Sequence, residues 1–272
     1  MNIERANFLE TVVAQTAIAL ERLRFRTTAE AAKLYEASEK LHQTLLNSVS
    51  HELRTPITAI IGTATALAEL KTDKEEVARQ VLLQEMTSSA RRLDRVVENL
   101  LDVSRLEKGS LQLKKEWFEV GDLLALVKSE LKTELSSREL RVGQANDVLL
   151  EGDYQLLDHA LSQLVLNAVK YSRQGTPIDI DVETSDGGLK LVVSDEGAGL
   201  PPGCEEQLFE KFFRLPGSPA GGLGLGLSIV KSIVELHGGH VSARNRFGKT
   251  GAEFEMWLPL KTAPRELVEA IR

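Results

Sequence analysis

The sequence has a single cysteine, Cys204, in 272 residues. One thiol excludes an internal disulfide and a cysteine-rich metal site. Long apolar runs are missing as well. No stretch reaches the roughly 18 apolar residues that a membrane-spanning helix needs, so no membrane segment is expected in this chain. The N-terminus lacks a basic start followed by an apolar core, the mark of a signal peptide. A basic excess is also absent. The formal net charge of −7 argues against a nucleic-acid binder held by phosphate contacts. The expected setting is the cytoplasm. The opening residues read as the tail of a longer parent, which leaves room for a membrane anchor there.

What is present is ordinary for a globular protein, with 42% hydrophobic and 27% charged residues. The length suits two domains. Residues 1 to about 48 contain no Gly or Pro, and Leu9, Val13, Leu20, Leu23, Leu34, Leu41 and Leu45 recur among charged positions. That pattern predicts continuous helix, paired as a two-helix coiled coil. The next helix carries Leu46, Ser50, Leu53, Ile57, Ile60, Ala64 and Leu67 at alternating steps of four and three, and runs to about Leu70. On this heptad His51 falls at b, Glu52 at c and Thr55 at f, so His51 lies away from the seam, with Thr55 one turn along. Pro56 is expected to kink the helix. A surface histidine without a role accounts for His51 on this stretch alone. The steps Leu41, Leu45, Val49, Leu53 mark a stutter between two heptad registers.

Lys71-Thr72-Asp73-Lys74 reads as a turn whose Thr72 or Asp73 caps the following helix. That helix carries Leu83, Met86, Ala90, Leu93, Val97 and Leu100 and ends near Lys108-Gly109. Two helices with one stripe each bury them best against a second copy. The expectation is a homodimeric four-helix bundle.

From Ser110 the pattern changes. Strand-like stretches are Leu111–Leu113, Trp117–Val120, Leu140–Val142, Val148–Glu151, Ile178–Glu183, Lys190–Ser194, His240–Asn245 and Glu253–Leu258. Helical stretches are Gly121–Leu135, Tyr154–Tyr171 and Leu227–His237. Without regular βα alternation, this predicts an α/β sandwich with a mixed sheet and helices on one face. The fold class is therefore multidomain, α followed by α+β.

Four stretches of the second domain carry chemistry. Asn167-Ala168-Val169-Lys170-Tyr171 closes a helix; an amide oxygen can ligate Mg²⁺ and a lysine can meet phosphate, although a polar helix face accounts for the same residues. Asp195-Glu196-Gly197-Ala198-Gly199 follows a strand; a carboxylate there can accept an amino proton, and a plain turn is the alternative. The Leu200–Leu225 loop holds Phe209, Phe212, Phe213 and Arg214 and reads as a lid, with Arg214 toward phosphate. Gly222-Leu223-Gly224-Leu225-Gly226-Leu227 opens a helix, where backbone N–H groups and the helix dipole favour phosphate. Gly248-Lys249-Thr250 is no P-loop, because Ala243 stands where that motif needs glycine.

In this order, behind the His51 stretch, these motifs resemble the histidine protein kinases of two-component signalling over about residues 40 to 260. His51–Pro56 resembles the phosphoacceptor box, Asn167–Ser172 the N box, and Asp195–Gly199 the first glycine box. Leu208–Arg214 resembles the F box and Gly222–Leu227 the second glycine box. Pro216–Gly222 is similar to the potassium-sensing, Kdp-type branch, and Leu9–Leu23 resembles the last helix of a GAF sensor domain.

The resemblance implies a Bergerat-type ATP site. Asp195 would bind the adenine amino group and Asn167 would hold Mg²⁺, with Gln163 as a second metal candidate. Lys170 and Arg214 would contact phosphate. Tyr171, Gly197, Gly199, Phe209, Phe213, Gly222, Leu223, Gly224, Leu225, Gly226 and Leu227 would complete the ATP pocket. His51 would take the γ-phosphoryl group with Glu52 as general base, and Thr55 would serve regulator dephosphorylation. The cofactors implied are ATP and Mg²⁺. The partners are a second copy and the receiver domain of a response regulator. Two departures stand out: Gln163 replaces the usual asparagine, and Gly251-Ala252 replaces Gly-Thr.

The expected domains are a signalling helix over 1–40, a dimerisation and phosphotransfer domain over 41–109, an ATP-binding domain over 110–262 and a tail over 263–272. The alternatives are a conformational ATPase of the Hsp90, MutL or gyrase type and a scaffold without kinase activity.

Overall fold

The computed structural model describes residues 15, 49–70, 76–107, 113–135, 138–145, 148–185, 187–218 and 222–264. The chain divides into two units, Met1–His51 and Glu52–Arg272. In the first unit the described residues, 15 and 49–51, are all helical, and His51 is exposed. The long N-terminal coiled coil, most of the stutter, the Lys71–Lys74 turn and the C-terminal tail from residue 265 lie outside the described residues.

Helix α1 covers 49–69 and runs uninterrupted through Pro56. Helix α2 is Glu76–Glu107. Along this hairpin Ile57, Ile61, Val77, Val81, Leu83, Val97 and Leu101 are exposed. The residues buried on α1 are Glu52, Pro56 and Thr63, and on α2 Ser89, Val96 and Asp102. Glu52 is thus buried at a position where the heptad placed it on the outer flank.

Strand β1, Glu116–Glu119, pairs antiparallel with β3, Leu149–Gly152, as a separate two-stranded sheet. Helix α3 is Val120–Glu130, a residue or so off the expected start. The expected single helix to Leu135 is interrupted at Leu131 and resumes as α4, Lys132–Leu135. The break is slight, because the Leu131 N–H still reaches the Val127 carbonyl at 3.0 Å. Leu111–Leu113 does not form a described strand; of it, only Leu113 is described, and it is not in a strand.

The main sheet has the order β2-β4-β5-β7-β6. Its strands are β2 Leu140–Val142, β4 Ile178–Ser185, β5 Gly188–Ser194, β6 His240–Asn245 and β7 Ala252–Pro259. Only β2–β4 is parallel, so the sheet is mixed as expected. Alternation on β7 puts Ala252, Phe254, Met256 and Leu258 inside. On its other face Lys190 meets Glu255 at 3.1 Å and Glu183 at 3.7 Å.

Helix α5, Tyr154–Tyr171, and helix α6, Gly226–Leu236, pack on each other and on this sheet. Leu157, Ala160, Leu161, Leu164, Val165 and Ala168 recur at helical spacing as the buried stripe of α5. Each fully buried leucine contributes about 1.5–3 kcal/mol of transfer free energy. Asp153 caps α5 by accepting the Leu156 N–H at 3.2 Å, and Ser172 ends it in extended backbone. This packing fixes where the last turn of α5 and the first turn of α6 stand.

Candidate ATP-binding site

A pocket opens where those two helix ends meet the end of β5. Its wall contains Asn167, Lys170, Tyr171, Asp195, Gly199, Phe213, Arg214 and the run Gly222–Leu227. Glu52 and Asn99 from the helical hairpin also line it. Four stretches that are scattered in sequence therefore share one cavity.

Asp195 follows the last residue of β5 and is buried. Its Oδ1 accepts the Gly197 N–H at 2.7 Å and the Ala252 N–H at 3.3 Å. The Ala252 carbonyl in turn accepts the Asp195 N–H at 3.0 Å. Ala252 thus brackets the carboxylate with its backbone, a role that does not require the threonine hydroxyl. Burial raises the Asp195 carboxyl above its ordinary value, while the Gly197 and Ala252 N–H groups and the Arg246 guanidinium oppose the rise.

Lys170 sits in the last turn of α5, 5.5 Å from the centroid of the Tyr171 ring. Burial lowers its ammonium below the usual lysine range, and the neighbouring Arg214 adds to this. Glu52 opposes the shift; half-buried Lys170 and exposed Arg214 together favour an anionic ligand.

The second glycine run turns sharply into α6. Gly224 has φ +70°, and a Cβ there would stand 2.7 Å from the Phe213 carbonyl oxygen. The Gly224 carbonyl accepts the Phe212 N–H at 2.9 Å, which pins the F-box stretch to the glycine run. Phe212 itself has φ +66°, uncommon for a residue with a side chain.

Some expected residues stand elsewhere. Phe209 is buried in the short helical turn Gln207–Phe209, and it is Leu208 that lines the pocket. Gly197 serves the Asp195 turn and is not part of the wall. Thr55 is exposed on α1 and does not line the pocket. Gln163, one turn before Asn167, does line the pocket, and its Nε2 donates to Asn99 Oδ1 at 3.1 Å. Asn99 was not anticipated from the sequence. The available signal was the polar stripe Arg92, Arg95, Asn99, Asp102 at helical spacing on α2.

Among the described histidines other than His51, each has a structural setting. His159 faces Asp102 at 2.9 Å, His237 is buried, and His240 stacks on Trp257.

Residues 152–262 match the histidine kinase-, DNA gyrase B- and HSP90-like ATPase family. Residues 41–109 match the His Kinase A (phospho-acceptor) domain. The chain belongs to the sensor histidine kinases. The phosphoacceptor match leaves the Hsp90- or gyrase-type alternative without support. The sensor protein KdpD of Escherichia coli strain K12 is 37% identical over 263 residues, covering 96% of this kinase chain and 29% of KdpD. The sensor histidine kinase WalK of Bacillus subtilis strain 168 is 30% identical over 273 residues, covering 96% of the chain and 44% of WalK. The chain therefore spans less than half of either relative. Full-length ShkA, solved in complex with AMPPNP, matches with a TM-score of 0.56 and 26% identity over 81% of this chain and 46% of ShkA. The Acinetobacter baumannii histidine kinase AdeS shares the fold, with a TM-score of 0.55 and 24% identity over 78% of this chain and 98% of that one. No described helix is long and apolar enough to cross a membrane.

Proposed function

We propose that this chain is an ATP-dependent protein-histidine kinase core that phosphorylates His51 and passes the phosphoryl group to an aspartate of a response regulator. The observation that carries the reading is the single pocket walled by Asp195, Asn167, Lys170, Arg214 and the Gly222–Leu227 run, with Glu52 in the same wall. Both N–H bonds to Asp195 fall on Oδ1, so an adenine amino group would donate to Oδ2. Gly199, Tyr171 and Phe213 belong to the same wall. Lys170, Arg214 and the N–H groups at the start of α6 would hold the phosphates. Asn167 would bind Mg²⁺, which supplies charge neutralisation on the phosphates.

A ring nitrogen of His51 attacks the γ-phosphorus while the bond to the bridging β–γ oxygen breaks, leaving ADP. Glu52, next in sequence, takes the proton from the other ring nitrogen. The phosphohistidine then yields its phosphoryl group to a carboxylate of the regulator, and Glu52 returns the proton so that the leaving nitrogen base is neutral imidazole again. Thr55, exposed one turn from His51, would position water when the regulator is dephosphorylated. The exposed apolar residues of α1 and α2 suit burial against a second copy, so the active species is a homodimer. We assign 41–109 to dimerisation and phosphotransfer and 110–262 to ATP binding, and place the core on the cytoplasmic side, where ATP and receiver domains are found.

The test is incubation with γ-labelled ATP and Mg²⁺. The label should be acid-labile and alkali-stable, and His51→Gln should bind ATP as the parent does and take no label. Appreciable labelling of His51→Gln would overturn the assignment.

A further inference from the structure

Gln163 occupies the place where the family usually carries an asparagine; it lines the ATP pocket, and its amide nitrogen is engaged by α2 and by its own helix. Its Nε2 lies 3.1 Å from Asn99 Oδ1 on α2 and 3.1 Å from His159 Nε2 on its own helix. His159 Nδ1 lies 2.9 Å from an oxygen of Asp102, also on α2. The Asp102 carboxylate accepts the Nδ1–H, so in the neutral ring Nε2 is an acceptor. In that tautomer the two Gln163 amide protons serve His159 Nε2 and Asn99 Oδ1, which themselves lie 3.2 Å apart, so the three polar atoms close a triangle. Its Oε1 lies against the first residue of α6: a Cβ at Gly226 would stand only 2.8 Å from it. One side chain on the N-box helix thus meets α2 of the phosphotransfer hairpin and the start of α6.

The surroundings suit a docking device. Asp102 is buried, and Gln163, Asn99 and His159 are half-buried. Buried Asp102 makes the His159 contact costly to separate, and the half-buried amides add to it, unless new partners replace the old ones. On the same stripe of α2, one turn before Asn99, Arg95 meets Glu134 of α4 at 2.5 Å. An asparagine at 163 is one methylene shorter and would not span from α5 to Asn99.

We propose that Gln163 is a positioning residue rather than a metal ligand: with Asn99, His159 and Asp102 it forms a clasp that docks the ATP-binding domain on α2 and couples that docking to the N-terminus of α6. The inference builds on the kinase reading. It assigns the substituted position one turn before the N box to docking of the ATP domain rather than to Mg²⁺.

The experiment compares Asn99→Leu, Gln163→Leu, Gln163→Asn and the Asn99→Leu/Gln163→Leu double variant in the full chain, after each is confirmed folded by its thermal transition. Amide hydrogen exchange is followed over α2 from residue 95 to 102 and over the start of α6. Exchange there should rise about tenfold or more in each single variant, and no further in the double, as expected of two halves of one interaction. The rate of His51 labelling should change by one common factor in all four. The Mg²⁺ concentration for half-maximal nucleotide binding should move less than twofold. A several-fold higher Mg²⁺ requirement in Gln163→Leu, cured by Gln163→Asn, with Asn99→Leu silent, would make Gln163 a metal ligand and overturn the clasp. Unchanged exchange, or effects that sum in the double variant, would overturn it too. Absence of any label in the parent would sink the kinase reading while the exchange data still judged the clasp.

Discussion

The Asp153 backbone N–H donates to His237 Nε2 at 2.9 Å. This bond joins the cap of α5 to the residue just after α6, the two helices whose other ends form the pocket. The opposite ring nitrogen, Nδ1, donates to the Ile233 carbonyl at 2.7 Å. The two partners fix a neutral imidazole with its proton on Nδ1. Asp153 also accepts the Lys114 N–H at 2.9 Å, so one residue anchors three segments.

Burial lowers the His237 pKa below its ordinary 6.5, with the Ile233 carbonyl and Asp153 opposing. A histidine lowered in the folded state contributes stability that is fully present above the unfolded value. That stability is lost as pH falls from about 6.5 through the lower folded value. Urea midpoints measured from pH 7.5 to 5 should fall over that window. In His237→Ala this part of the fall should disappear, on a protein already weaker by about 2 kcal/mol from the stranded N–H and the cavity. An unchanged pH slope in the variant would show that another group titrates.

Asp158 behaves in the opposite sense. Burial first, then Glu130, raises its carboxyl to about 6, with His159 opposing. Its Oδ1 is buried without a hydrogen-bond partner. A raised carboxyl contributes stability that is full below the unfolded value near 3.8 and lost as pH rises through about 6. Asp158→Asn should therefore stabilise the protein at pH 7.5 by about 1 kcal/mol, a figure already reduced for the solvent that reaches this half-buried group. The gain should shrink between pH 6 and 4 in thermal melts and be absent below. A variant less stable than the parent at pH 7.5 would contradict this.

Asn167→Asp should impair autophosphorylation at saturating Mg²⁺-ATP by a hundredfold or so, in the range for losing a positioned electrostatic group. Gln163→Ala should change it far less, because that amide faces Asn99 and His159. Equal and severe losses in labelling assays would assign both residues to the metal.

Gly224→Ala should reduce nucleotide affinity by about tenfold or more through backbone strain at a left-handed position. The added methyl would stand 2.7 Å from the Phe213 carbonyl and displace the F-box stretch from the glycine run. Fluorescent-nucleotide titration measures this. Gly203→Ala is the control, since it shares a positive φ of 79° but meets nothing within 4 Å. Equal losses in the two variants would mean strain alone, not contact with Phe213, sets the effect.

Periodicity determined much of this protein by itself. The bounds of α5 match the expected Tyr154–Tyr171, because its buried stripe is unbroken and ends at a polar cap. The mixed sheet with helices on one face followed from strands of period two without βα alternation. The glycine and carboxylate boxes were legible because they combine rare residue types at element ends. Tertiary structure decided what periodicity cannot carry. Glu52 was placed on the outer flank by its heptad position, yet it is buried and shares the pocket wall, because a second neighbour covers a helix face that the seam leaves open. Leu208 lines the pocket and Phe209 does not, because both are buried in one short helical turn, whose sides a sequence pattern of three residues cannot assign. The pairing of β1 with β3 and the Gln163–Asn99 contact join residues 33 and 64 positions apart or thereabouts. Nothing local favours such contacts. They form only when helix and sheet packing has brought the segments together, and loop-closure entropy has been overcome by the core as a whole.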